Sequence, residues 1–329
     1  MKKKKLRNAL LCALAVPCMF GITACGETPD KEISAREYNN LVFEAGKNYL
    51  ANHTDYKTFG DMTTTFTGTS TTVDKEEVTY KATAEATETT TKEFDVTTTT
   101  TRSQTIEINR DETENGDISV RVTYKRLDKT KRKQANAETK LLEDYEESED
   151  TTTIKTFIKE GESYKFYEHS KTISKETGVE DETVETKEVY TFASREEYQS
   201  AIDNIIDDVN NNQVTGMLTT SEEILFLNPD IYKDGSNFGY DFEYGGVGLD
   251  GGDELMKNNM AMSTDFKNNL PYKTSAEMSG YSISGESNNF KQEITVTYSA
   301  PAITAPVGAT DYENNDSLSY DFYVESIGF

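Results

Sequence analysis

The sequence predicts an α+β protein: one large antiparallel sheet with a few helices packed on one face. Three observations predict it. Apolar and polar residues alternate along most of the chain. Thr, Val, Tyr and Phe dominate those runs, and they suit a pleated, half-buried surface. Only a few stretches carry helical spacing. Alternation with one apolar face is the mark of an antiparallel sheet wetted on one side. Hydrophobic residues make up 35% of the chain, which is low, yet 19 Tyr and 15 Phe supply the large groups a core requires.

The N-terminus is a segment apart. Lys2 to Lys5 and Arg7 form a basic start, an apolar run follows from Ala9 to Ile22, and Ile22-Thr23-Ala24-Cys25 ends it. A charged start, a short apolar stretch and small residues make a secretory signal. The run is shorter than the ~20 apolar residues that span a bilayer, and Pro17 and Gly21 interrupt it. Those last four residues resemble the lipobox of bacterial lipoprotein precursors: aliphatic, small or aliphatic, Ala or Gly, then Cys. The resemblance implies cleavage after Ala24 and a diacylglyceryl thioether on Cys25. Two acyl chains give stable anchoring where one is marginal. The expected division is a signal peptide over 1–24, a tether over 25–33 and a sheet body over 34–329. Nine residue steps from Cys25 to Ser34 reach at most about 30 Å, so the body is expected close to a membrane, outside the cytoplasm.

Removing residues 1–24 leaves 305 residues with 29 basic and 59 acidic side chains, a balance of −30. That charge argues against nucleic acid and against unaided adhesion to anionic lipid or wall polymer. Cys12 and Cys18 leave with the signal. Cys25 is then the one thiol, and stability is expected from packing and sheet hydrogen bonds.

Ser34-Ala35-Arg36-Glu37 is a capping box with Ile33 and Tyr38 as its staple. Tyr38, Leu41, Val42, Ala45 and Tyr49 share one face of a helix over about 34–51. Ser194, Glu197, Tyr198, Ala201, Ile202, Ile205 and Val209 repeat those offsets 160 residues later. The body thus reads either as two related helix-plus-sheet halves, 34–193 and 194–329, or as two helices obeying the same capping physics. Between them, alternation predicts strands at Met62–Phe66, at Val78–Ala86, over 92–109, at Ile118–Tyr124, and over 151–158, 163–170 and 184–192. The small Ala82, Ala84 and Ala86 are expected on an inner face under a helix. The charged stretch 128–150 reads as a long hairpin tip or a solvated loop. A short helix is expected at Ser221–Leu227. A meander then runs through Phe238–Tyr244, Met260–Phe266, Tyr272–Met278, Ile294–Tyr298 and Leu318–Val324. Asn115-Gly116, Asn268-Asn269 and Asn288-Asn289 mark turns.

No catalytic apparatus is legible, and no enzyme is expected. Gly246-Val247-Gly248-Leu249-Asp250-Gly251 fits G-x-G-x-x-G, but it lacks a βαβ setting and carries acids where a pyrophosphate would lie. Asp241, Glu243, Asp250, Asp253 and Glu254 lack the ordered spacing of a calcium loop. His53 and His169 are too few and too far apart for zinc, and no cofactor or metal is expected. The C-terminal third is rich in soft apolar groups. Met260, Met262, Phe266, Tyr272 and Met278 are the expected wall of an apolar cavity, if there is one.

The stretch from Asn259 to Pro306 resembles the LolA, LppX and LprG type of envelope lipoprotein. Its carriers are Met260–Asp265 with Leu270-Pro271, then Ile294–Tyr298, then Ile303–Pro306. The resemblance implies a curved half-barrel sheet covered by helices, holding an acyl chain or lipidated cargo without catalysis. The Thr-rich strands depart from that family's more apolar ones. Two functions follow as expectations: a lipoprotein binding an apolar or amphiphilic ligand, or a structural, adhesive or protein-interaction lipoprotein with a filled core.

Overall fold

The computed structural model describes residues 33–111, 116–218, 229–249, 255–282, 285–316 and 323–327. Cys25 lies outside them, as do the helix expected at Ser221–Leu227 and the acids Asp250, Asp253 and Glu254.

Helix α1 spans Ala35–Leu50, and Glu37 N donates to Ser34 Oγ at 3.2 Å to cap it. Six strands follow: β1 (Met62–Tyr80), β2 (Thr90–Arg110), β3 (Ile118–Ala135), β4 (Leu142–Glu160), β5 (Ser163–Glu176) and β6 (Glu182–Thr191). Helix α2 (Arg195–Val209) is capped identically by Ser194, and a π turn at Asn210–Val214 leads into the short α3, Thr215–Leu218. Strands β7 (Asp230–Asp234), β8 (Asn237–Leu249), β9 (Leu255–Lys267), β10 (Leu270–Ser282), β11 (Ser287–Thr297) and the two-residue β12 (Glu313–Asn314) complete the chain.

Among the described residues twelve strands join one open sheet in the order β12-β6-β5-β4-β3-β2-β1-β11-β10-β9-β8-β7. Every pairing is antiparallel except β12 on β6. The mostly antiparallel architecture is the expected one, and the sheet does not close into a barrel. The seam lies at β1, whose Thr63–Val73 pairs with Thr297–Ser287 of β11. The strands that follow α1 and those that follow α2 therefore share one sheet.

Packing explains which face is apolar. On one face, Met62 and Phe66 of β1, Ile106 and Ile108 of β2, Val120 and Val122 of β3, and Phe157 and Phe166 of β4 and β5 meet Tyr198, Ile202, Ile205 and Val209 of α2. On the same face across the seam, Tyr38, Val42 and Ala45 of α1 meet Phe238, Tyr240, Phe242 and Phe266. Burying each such aromatic or branched side chain contributes about 1.5–3 kcal/mol. The opposite face carries a smaller cluster, Ile158, Tyr167 and Val189, covered by Ala305, Ala309 and Tyr312. Further on, the chain returns to the helix face. Val324 is buried there, Gln104 Nε2 donates to Tyr323 O (2.7 Å), Glu325 N donates to Gln104 Oε1 (2.8 Å), and Gln213 Nε2 donates to Glu325 O (3.1 Å).

Three expectations are corrected. The alternation at Val78–Ala86 stops being a strand at Tyr80: Ala82, Ala84 and Ala86 lie in the reversal between β1 and β2. A run of Ala has little β propensity, and among the described residues no helix packs there to bury it. Asn288-Asn289 is not a turn. Both residues sit in β11, paired with Gly280 and Ser279, and the chain reverses just before them at Gly285, whose φ is +89°. Asn268-Asn269 does turn, with both residues at φ 55°, as a two-residue hairpin between twisted strands requires. Lastly, of the strand expected at Leu318–Val324, residues 318–322 lie outside the described residues; Tyr323 and Val324 form no strand, and the backbone there is bound by the Gln104 and Gln213 side chains instead of a neighbouring strand.

Candidate functional site

Strands β1–β4 are 18 to 21 residues long, well beyond the usual five or six. At about 3.3 Å per residue β2 alone extends roughly 70 Å. The helices cover only one end of it. From about Thr69, Arg102, Lys125 and Thr152 outward, most residues on both faces are half-buried or exposed. This bare plate is where the Thr runs lie. Cross-strand hydroxyl pairs take the place of a core: Thr71 with Thr99 (3.4 Å), Thr79 with Thr91 (2.8 Å), Thr151 with Thr172 (3.1 Å) and Thr153 with Ser170 (3.1 Å). Such pairs contribute roughly 0.2–1 kcal/mol each. The charged stretch 128–150 is the β3–β4 hairpin of this plate, turning at 136–141. Lys129 and Lys131 both pair with Glu146, and Lys133 pairs with Asp144.

The expected apolar wall is partly assembled. Phe266 is 2% exposed and stacks on Phe238 with ring centroids 4.4 Å apart, so it is core under α1. Met260 and Met262 are half-buried against the same cluster. Met278 faces Met260 across the β9–β10 pair and Phe290 across the β10–β11 pair. Tyr244 stands opposite Met260 on β8. Tyr244, Met260, Met278 and Phe290 thus form one cross-strand row on the helix face, with Tyr244 45% exposed. Tyr272 stands apart, at the register shift between Pro271 and Lys273 with Lys267 Nζ 5.2 Å from its ring centre. Tyr244 was legible as a strand aromatic; Phe290, directly after the pair expected to turn, was not, and the row itself depends on pairing register. A separate cleft of about 240 Å³ lies between β6 and β12, lined by Val189, Tyr190, Thr191, Asn314, Asn315 and Asp316.

The most connected buried charge is Asp117, where β3 begins. Arg195 Nη2 donates to its Oδ1 at 2.8 Å and Lys159 Nζ to its Oδ2 at 3.1 Å. The hydroxyls of Tyr56 (3.2 Å) and Tyr164 (3.3 Å) also donate to it. Burial works against its charge, but Arg195 and Lys159 outweigh it and hold the carboxyl below its ordinary range. Both of its oxygens are taken, and the arrangement ties the start of α2 to β3 and β4. No local pattern signals it, because its members are scattered from 56 to 195. His53 stacks on Tyr49 (4.8 Å between centroids), its Nδ1 lies 3.0 Å from Tyr49 O, and burial lowers its pKa. His169 Nε2 lies 2.9 Å from Glu185 Oε1. The two histidines are in different parts of the fold, and no cluster of three or more metal-ligating side chains occurs among the described residues.

Among the described residues no helix is long and apolar enough to cross a membrane. No family model matches the chain, and no curated protein matches it. Among solved structures it is similar to the transport unit of the autotransporter AIDA-I from Escherichia coli, at 8% identity over 79% of this chain and 98% of that chain. The TM-score is 0.24, and a likeness of that order carries no argument about architecture or activity.

Proposed function

We propose that the chain is an extracytoplasmic lipoprotein, anchored through an acylated Cys25, that displays its bare sheet as a non-catalytic interaction surface. The observation that carries the display reading is the division of the sheet. Aromatic side chains fill the space beneath α1 and α2, and the long strands run on past the helices with both faces accessible. A sheet that only enclosed a core would have no need of such strands. The anchor rests on the lipobox resemblance. It is tested by growing cells on an alkyne-tagged fatty acid. The wild-type chain is expected to take up the tag and to sediment with membranes. Cys25→Ser is expected to lose both properties, and an untagged wild-type chain would refute the anchor.

A second reading is favoured by one observation, the half-exposed row Tyr244–Met260–Met278–Phe290 beside α1. In the half-barrel likeness this is where an acyl chain or other apolar ligand would lie. Native mass spectrometry of the full-length Cys25→Ser chain separates the two. The display reading expects the bare mass, and the carrier reading expects a lipid adduct that Met278→Asp removes.

A further inference from the structure

Two buried glutamines hold the last described segment of the chain. Gln104 of β2 is 2% exposed, and Gln213 of the π turn is 1% exposed. Gln104 Nε2 donates to Tyr323 O at 2.7 Å, and Gln104 Oε1 accepts from Glu325 N at 2.8 Å. These are the two bonds that a residue of a parallel strand makes on either side of its neighbour, here Val324. One side-chain amide thus stands in for a strand. Gln213 Nε2 adds a third bond, to Glu325 O at 3.1 Å. Tyr323–Ile327 is therefore held as a bound peptide, by side chains, without joining the sheet. A buried amide that lacks a partner is costly, so this groove requires an extended segment. It also reads side chains. Val324 is buried in the main core cluster and Ile327 packs against it, whereas Tyr323 is 71% exposed.

The chain's own segment fits the groove imperfectly at two places. Gln213 Oε1 is buried and has no hydrogen-bond partner among the described residues. The Glu325 carboxylate is buried too, and its nearest cation is Arg102, with Nη1 at 3.8 Å. Arg126, opposite Arg102 on β3, is held by Asp128. Burial outweighs both arginines and raises the carboxyl's pKa. A buried charge without close pairing weakens the segment that carries it.

From this we infer that the groove between Gln104 and Gln213 is a docking site for an extended segment of a partner protein. That segment carries apolar side chains at the Val324 and Ile327 positions and an uncharged polar one at the Glu325 position. The chain's own segment is the weaker, built-in occupant that the partner displaces. A tethered segment competes at high effective concentration, so the partner has to fit better, and the absence of the buried charge supplies that advantage. A second copy would bring the same carboxylate and gain nothing over the tethered segment. The site lies on the helix face and is separate from the bare plate.

The experiment uses the full chain and two labelled 13-residue peptides, one with the sequence of residues 317–329 and one with Glu325→Gln in that sequence. Hydrogen exchange on the wild-type chain reads displacement. Excess Gln peptide is expected to speed exchange at the Glu325 N–H, which Gln104 protects, and the Glu peptide to do so less. Fluorescence anisotropy reads affinity on Val324→Asp, which disengages the tethered segment. Both peptides are expected to bind it, the Gln form about tenfold more tightly, the order set by a buried polar group with an unmet partner. Adding Gln104→Leu is expected to abolish binding of both. Ile327→Asp, at a half-buried position, opens the groove with less loss of core and repeats the measurement if Val324→Asp does not fold. The exchange measurement needs no variant and decides alone if neither opened chain folds. Unchanged exchange in the wild-type chain, with no binding to an opened chain, overturns the inference. Equal affinity of the two peptides also overturns it. So does self-association of the wild-type chain that the Glu peptide reverses, because the groove would then take the segment of a second copy.

Discussion

At the scale of single residues, the informative groups are carboxylates whose surroundings push them in opposite directions. Asp117 is held below its ordinary range, so it contributes stability at neutral pH that is lost as pH falls through its folded-state value. Glu325 is the reverse case. Burial raises its pKa, and Arg102, with Nη1 3.8 Å from Oε1, and Arg126 only partly offset that. A raised carboxyl contributes stability that is present below its unfolded value of about 4.3 and lost as pH rises through its folded value. Glu325→Gln is therefore expected to raise Tm at pH 7, with the gain shrinking to nothing near pH 4. Thermal melts of both chains across that range check it. A gain that persists at pH 4 would mean the substitution acts through packing. Asp117→Ala leaves Arg195 and Lys159 without their carboxylate, and both can turn to solvent, so the expected loss is roughly 1–3 kcal/mol by chemical denaturation.

Individual elements show where sequence reasoning has purchase. Both helices were legible to within a residue or two, because a Ser cap, a Glu three residues on and a 3.6-residue apolar face all agree. The core ends of the strands were legible for the same reason: Ile118, Val120 and Val122 alternate because every second one is buried. The outer half of β2 was legible too, within the run expected over 92–109, but those of β3 and β4 were not. Where no helix covers the sheet, burial no longer selects apolar residues, and Thr or Lys stands at positions that still pair. The alternation of Lys129, Lys131 and Lys133 was hidden for this reason, since a period of two is visible only once Lys129-Thr130-Lys131-Arg132-Lys133 is known to be strand. The Met260–Met278 row needed the β9–β10 register, which no local pattern encodes. The same division has an energetic consequence. Excising residues 130–147 and closing β3 on β4 with Asn-Gly removes 18 residues, of which Tyr145 alone is buried. Tm is expected to move by only a few degrees. Phe157→Ala, fully buried beneath α2, is expected to cost about 3–5 kcal/mol. A collapse of the shortened chain would show that the plate carries the fold.

For the whole molecule, the question is whether two capped helices and two strand sets are two units or one. The similar offsets at Ser34 and Ser194 suggest a repeat, but the physical connections cross the boundary. β1 pairs along Thr63–Val73 with β11, α1 reaches from Phe238 to Met62, and Gln104 binds the backbone at Tyr323 and Glu325. Tyr49 of α1 also donates to Asn210 Oδ1 at 2.5 Å, next to the end of α2. Cutting after Leu218 would expose the edge of β1 beside Phe66 and leave α1 without Phe238, Tyr240 and Phe266. An unpaired edge of that length is an aggregation site. Calorimetry of the full chain is therefore expected to show one cooperative transition, and residues 34–218 expressed alone are expected to aggregate or to lack a melting transition. Two separate transitions, or a soluble and cooperatively melting fragment, would mean that the seam at β1 joins two domains that each hold their own core.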